Sequence, residues 1–153
     1  MNTLELKAPV NGILVPLEDL SDEVFAHKML GNGFAIEPIT NLLHSPCDGK
    51  VIQMHKSLHA ITIENSHKDQ ILLHIGINTV NLQGVGFKAF VKVGDHVRSA
   101  QKLIEFDLDL IAKKKLCLSV ILVCLNQENR APITINYPLK KNLFKTDDTI
   151  AIL

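Results

Sequence analysis

Apolar residues along this chain fall in short runs, broken by clusters of glycine, proline, asparagine and aspartate. Runs rich in Ile, Leu and Val, four to eight residues long and bounded by turn formers, are the signature of β-strands. The pattern predicts strands over Gly12–Pro16, Gly33–Pro38, Lys50–Met54, His59–Glu64, Gln70–Ile77, Gln101–Asp107, Ser119–Cys124 and Thr149–Leu153. Helical periodicity is scarce. It covers Ser21–Met29, where Ser21 followed by Asp22 and Glu23 fits an N-cap with an acidic first turn, and Leu108–Lys114. An all-β fold follows: an antiparallel sandwich or closed barrel with one or two short helices.

The chain has 153 residues, the size of one domain, and nothing in it reads as a linker, so residues 1–153 are expected to form a single domain. Hydrophobic residues make up 46% of it, enough for a well-buried interior. Lys+Arg and Asp+Glu both number 16, so no overall field selects for nucleic acid or an anionic membrane, and charge-guided docking must come from a local patch. No secretory signal is visible, and the longest apolar run, Leu116 to Leu125, is well short of the ~18 residues of a membrane span. The three cysteines, Cys47, Cys117 and Cys124, are odd in number and lack CxxC spacing. They read as small buried hydrophobes in a reducing compartment, and the expected location is cytoplasmic. A weak internal echo links Ala8-Pro9-Val10-Asn11-Gly12-Ile13-Leu14 to Ser45-Pro46-Cys47-Asp48-Gly49-Lys50-Val51. Structural duplication and shared turn chemistry explain it equally well.

The chemistry lies in the histidines, of which there are seven. His67 and His96 sit in polar turns, His27 in a short amphipathic helix, and His44 and His55 flank a strand, so surface or packing roles suit them. His59 and His74 differ, because each falls within an apolar strand and the two strands flank the polar turn at 65–69. A hairpin with a two-residue tip at Ser66-His67 would set 64 opposite 69 and His59 opposite His74. Their Cβ atoms would then be ~5 Å apart on one face, and a one-residue slip would break the alignment. Adjacent neutral imidazoles suit a metal site, which needs further ligands. They suit acid–base catalysis equally, although no G-x-S-x-G nucleophile motif is present. They also suit covalent catalysis in which one accepts a group and the other stabilises its charge. Spacing alone leaves these open beside simple packing.

The segment from Leu73 to Phe87, LHIGINTVNLQGVGF, resembles the active-site segment of the glucose-family enzyme IIA domains of the bacterial phosphoenolpyruvate-dependent sugar phosphotransferase system, approximately H-x-G-x-[DN]-T-V-x-L-x-G-x-G-F. Collinear matches run from about Leu6 to Leu153. They include Ala8-Pro9 with Gly12, then Asp22 with Val24-Phe25-Ala26, Gly31-Asn32-Gly33-Phe34-Ala35-Ile36, Pro46 with Asp48-Gly49, His59-Ala60, Val93-Gly94-Asp95-His96-Val97 and Ile104-Glu105-Phe106-Asp107-Leu108. The resemblance implies an antiparallel sandwich-like barrel of the duplicated hybrid motif type. It implies that the phosphocarrier protein HPr donates a phosphoryl group to His74, which passes it to a cysteine of a sugar-specific IIB domain. By the same resemblance the Gly76 carbonyl holds one nitrogen of His74, leaving Nε2 to attack. His59 meets the phosphoryl oxygens, and the Ser57 hydroxyl, at a position usually threonine, orients His59. Val24, Phe25, Leu30 and Val80 would form an apolar docking rim, with Asp22 meeting a basic partner. No cofactor or metal is implied.

Asn78 stands where glucose-specific members typically carry aspartate, which removes one negative charge beside His74. Ser57 keeps the hydroxyl of the usual threonine and loses its methyl. A zinc-dependent hydrolase on a related scaffold needs an H-x-H pair that this chain lacks. A biotin- or lipoyl-carrier module needs a lysine-bearing hairpin tip that is also missing. A non-catalytic regulator that binds transporters or kinases through the same face stands as the alternative, and it can coexist with catalysis. The resemblance implies that the partner domains choose the sugar.

Overall fold

The computed structural model describes residues 5–136, 143–146 and 148–152. Thirteen strands are found among them: β1 (Glu5–Lys7), β2 (Gly12–Pro16), β3 (Gly31–Pro38), β4 (Leu42–His44), β5 (Gly49–Met54), β6 (Ala60–Glu64), β7 (Gln70–Ile77), β8 (Phe87–Ala89), β9 (His96–Val97), β10 (Lys102–Phe106), β11 (Cys117–Leu125), β12 (Leu143–Phe144) and β13 (Thr149–Ile152). The helices are α1 (Glu23–Ala26) and α2 (Leu108–Lys113), with 3₁₀ turns at Leu17–Asp19 and Thr79–Leu82. Eight strands form one sheet in the order β12-β2-β3-β11-β7-β6-β5-β9, while β4-β10-β8 and β1-β13 form smaller sheets, and every pairing is antiparallel. The all-β antiparallel expectation therefore holds.

The main core lies between the large sheet and the two small ones. Leu6, Leu43, Leu103 and Ile104 from the small sheets meet Phe34, Ile36, Ile63, Ile71, Leu73, Leu122 and Val120 of the large one. Across the middle of the large sheet the outer face is buried as well. There Val15, Ala35, Ile121 and Val123 pack under Leu17, Leu20 and Phe25. This double burial explains why β11 reads from Val120 to Leu125 as an unbroken apolar run, since a strand covered on both faces has no need to alternate.

The echo in the sequence is a structural duplication. Lys7 N–H donates to the Pro46 carbonyl at 2.8 Å, and His44 N–H donates to the Pro9 carbonyl at 2.7 Å. The two Pro-containing turns thus bond each other reciprocally. Asn11 Oδ1 accepts Thr146 N–H at 2.7 Å, and Asp48 Oδ1 accepts Ser99 N–H at 2.7 Å. β1 pairs with β13 as β4 pairs with β10, and β2 takes β12 as β5 takes β9. At the start of each unit a glycine presses on a partner strand: a Cβ on Gly12 would lie 2.1 Å from the Glu37 carbonyl oxygen, and one on Gly49 2.5 Å from that of Glu64.

Several boundaries differ from the sequence expectation. The first helix is shorter than Ser21–Met29, and its cap is Asp22, not Ser21. The Asp22 carboxylate accepts Phe25 N–H at 3.2 Å, and left-handed Lys28 ends the turn. β1, β4, β8, β9 and β12 go beyond the sequence expectation, because two or three residues carry too little periodicity to register. Leu153, the end of the expected last strand, lies outside the described residues.

Candidate functional site

The hairpin of β6 and β7 carries the two histidines, in a register one residue away from the expected one. Ala60 faces His74, Glu64 faces Gln70, and the loop is Ser66-His67-Lys68. A two-residue tip requires left-handed backbone at both central residues in a type I′ turn and a glycine-favouring first residue in a type II′ turn, neither of which Ser66 and His67 supply. The three-residue loop needs it once, at Lys68 (φ 65°). Asn65 ties the loop by accepting the N–H groups of His67 and Asp69 at 2.9 and 3.0 Å. Arg130 clamps it from outside, bonding the carbonyls of Lys68 and His67 and the Asp69 carboxylate.

The slip does not separate the histidines. His59 precedes the first regular residue of β6, and left-handed Leu58 (φ 62°) breaks the strand just before it, so strict alternation no longer applies. The His59 carbonyl accepts Ile75 N–H at 2.7 Å. The His59 and His74 rings stand 5.0 Å apart, centroid to centroid, nearly perpendicular at 80°. His74 lies on the outer face of the large sheet, with Ile121 of β11 as its cross-strand neighbour and the Phe25 ring 5.2 Å away.

His74 Nδ1 is 2.7 Å from the Gly76 carbonyl oxygen. A carbonyl only accepts, so Nδ1 carries the hydrogen, and Nε2 of the neutral ring keeps its lone pair. Burial pushes the His74 pKa below its ordinary value, against the Gly76 carbonyl and the Asp22 carboxylate, which both favour the charged ring. Gly76 has φ 71°, and a Cβ there would meet the Cys117 carbonyl oxygen and Thr79 Cγ2 at 2.6 Å each. The position therefore demands glycine. Thr79 fastens the following turn through a short bond from its hydroxyl to the Ile75 carbonyl.

His59 is buried, and its Nδ1 has no hydrogen-bond partner among the described residues. A buried lone pair left alone is tolerated better than a buried N–H, which assigns the hydrogen of the neutral ring to Nε2. Its pKa falls to about 4, first through burial and then through the neighbouring His74 and His55. Ser57 is buried beside it, yet the bond recorded for Ser57 runs from its backbone N–H to His55 Nδ1 at 3.0 Å. The expected hydroxyl contact that would orient His59 is not made in this structure.

His55 was set aside in the sequence as a strand-flanking residue, but its ring lies 4.4 Å from that of His59. No periodicity flagged it, because it belongs to a turn. The expected docking residues surround the cluster unevenly. Val24, Leu30 and Val80 are about 40% exposed, joined by Met29 and Val85 at 64% each, whereas Phe25 is buried against His74 and supports the site from beneath. Asp22 caps α1 and acts on His74 through its charge. Asn78 adopts a left-handed conformation (φ 63°) ahead of the Thr79–Leu82 turn, with its side chain exposed. That backbone suits asparagine. Among the described residues no group of three or more His, Cys, Asp or Glu is arranged to hold a metal ion, and no helix is long and apolar enough to cross a membrane.

Residues 4–130 match the family model described as phosphoenolpyruvate-dependent sugar phosphotransferase system, EIIA 1. The chain is 42% identical over 122 residues to a PTS system glucose-specific EIIA component of Oceanobacillus iheyensis, covering 80% of this chain and 74% of that protein. It is 35% identical over 147 residues to a lactose permease of Lactobacillus delbrueckii subsp. bulgaricus, covering 96% of this chain and 23% of the permease. The solved glucose permease IIA from Mycoplasma capricolum superposes with a TM-score of 0.86 at 37% identity, over 99% of this chain and 96% of that one. Family model, relatives and fold agree with one another, and this chain belongs to the EIIA 1 family of the phosphoenolpyruvate-dependent sugar phosphotransferase system.

Proposed function

We propose that the chain is a phosphohistidine carrier in sugar uptake, taking a phosphoryl group from HPr onto His74 Nε2 and delivering it to a cysteine of a IIB domain. One observation carries this most directly: His74 Nδ1 is engaged by the Gly76 carbonyl at 2.7 Å, which leaves Nε2 as the free nucleophilic nitrogen. In the first transfer the P–N bond on HPr breaks as the bond to His74 Nε2 forms. In the second that bond breaks as P–S forms on the acceptor. Such transfers rest on positioning and charge stabilisation. His59, neutral near pH 7, offers its Nε2–H to the phosphoryl oxygens from 5.0 Å between ring centres. Ser57, buried beside His59, is proposed to orient it through its hydroxyl once the phosphoryl group is in place. Val24, Leu30 and Val80 give an apolar rim for both partners, with Asp22 as its acidic edge and exposed Asn78 beside it as a neutral contact. The domain is proposed to span residues 1–153.

The test is to incubate the protein with phosphoenolpyruvate, enzyme I and HPr. Acid-labile phosphate is expected on the wild type and absent from His74→Ala. A wild type that takes no phosphate would sink the assignment. The likeness to part of a lactose permease favours a second use, in which the same face regulates a transporter. Phosphorylation without onward transfer to any IIB domain would point there.

A further inference from the structure

Three imidazoles meet at the site, and the carrier mechanism uses two. His55 closes the turn that delivers Ser57 and His59. Its N–H donates to the Ala60 carbonyl at 2.9 Å, and its own carbonyl accepts Leu58 N–H at 2.8 Å. Its Nδ1 accepts Ser57 N–H at 3.0 Å. That last bond pins the ring, because the imidazole cannot turn over without surrendering it. Pinned in this way, the ring lies 4.4 Å from the His59 ring at 58°. His59 also meets His74, at 5.0 Å. His59 is thus in contact with two rings, while its buried Nδ1 makes no hydrogen bond among the described residues that could orient it.

We infer that His55 is a positioning residue for phosphoryl transfer, its pinned ring being the wall that holds His59 toward a phosphoryl group on His74. The inference rests on the carrier assignment above. A His59 ring free to swing away would withdraw its donor while charge moves from His74 to the acceptor. The loss belongs in the transfer step and leaves docking untouched. Aromatic packing is the working contact, and the Ser57 bond serves to aim it.

The experiment loads the protein from phosphoenolpyruvate, enzyme I and HPr, then follows transfer to a purified glucose-type IIB domain. His55→Ala and His55→Asn, the second keeping an acceptor for Ser57 N–H but no ring, are expected to lower kcat about 10-fold with KM for the IIB domain unmoved. His55→Phe, which keeps the ring, recovers most of it. His59→Ala sets the floor. Separately, the His59 imidazole ¹⁵N resonances should shift in the Ala and Asn variants and stay in place in the Phe variant, a readout that requires no phosphate. Wild-type kcat with unmoved His59 resonances in His55→Ala would overturn the inference. Recovery by Asn in place of Phe, or a raised KM at constant kcat, would overturn it too. A wild type that accepts no phosphate would instead defeat the carrier assignment, and the resonances alone would then judge the His55 contact.

Discussion

Two of the site's imidazoles are kept neutral by their surroundings, and the surroundings differ. His74 is half covered and braced by a carbonyl, so burial pulls its pKa down while Gly76 and Asp22 pull it up. His59 is buried without a brace, and burial together with the neighbouring imidazoles brings it to about 4. This has a consequence for stability. In the unfolded chain a histidine takes up its proton near ~6.5, whereas folded His59 does so only near about 4. Between those values the unfolded state binds more protons, so the stability present above the unfolded value is lost as pH falls toward the folded one. The urea midpoint should therefore decline from about pH 6.5 to 4, and the decline should flatten in His59→Gln. An unchanged slope in the variant would refute the assignment of that loss to His59. Gly76 is legible at this scale too, since the motif names the residue, but the reason for it is a tertiary contact with Cys117 on β11.

At the scale of the element, α1 shows how little local sequence is needed to fold a short helix once packing is supplied. Four residues cannot hold a helix in isolation. Asp22 caps this one, and Phe25 buries its inner face over Ile77 and Ile121. The cap and the charge of Asp22 can be separated. Asp22→Asn keeps an acceptor for Phe25 N–H and should leave stability near wild type, while lowering the His74 pKa further, because the charge that raised it is gone. Asp22→Ala removes both and should cost about 1 kcal/mol, or a few degrees in Tm. Calorimetry and an NMR titration of His74 check the pair, and equal stability of the two variants would show that the cap does not matter. The hairpin is the element where prediction failed instructively. Its strands and its turn were legible, while its register was set by Lys68 accepting a left-handed backbone and by Arg130, far along the chain, gripping the loop. Local sequence does not encode that grip.

Across the whole molecule the duplication governs. Asn11 and Asp48 occupy equivalent corners and each fastens a distant backbone N–H at 2.7 Å. Replacing either by alanine should loosen the same joint in its own half. The expected cost is about 0.5–1.5 kcal/mol for Asn11→Ala and about 1.5–3 kcal/mol for Asp48→Ala, whose bond is charge-assisted. Urea unfolding measures both, and a larger loss for Asn11→Ala would contradict the equivalence. The two glycines that follow, Gly12 and Gly49, press on partner carbonyls in the same manner, which is why the Asn/Asp-Gly pair recurs.

The sequence by itself determined the strand-rich class, the positions of most long strands, the turn at 65–69 and the nearness of His59 and His74. These are written in local alternation, in turn residues and in a family motif, all of which survive without knowing what packs where. Only the tertiary structure decided the hairpin register, the burial of Phe25 beneath the site, the reciprocal bonding that turned a weak echo into a duplication, and the place of His55. Each of those depends on partners distant in sequence or on a side chain in an irregular turn. The His59–His74 pair illustrates the division. Strand arithmetic brought the two together on a register that the structure does not use. They meet because left-handed Leu58 ends the alternation one residue early, and the His55 ring packs 4.4 Å from that of His59.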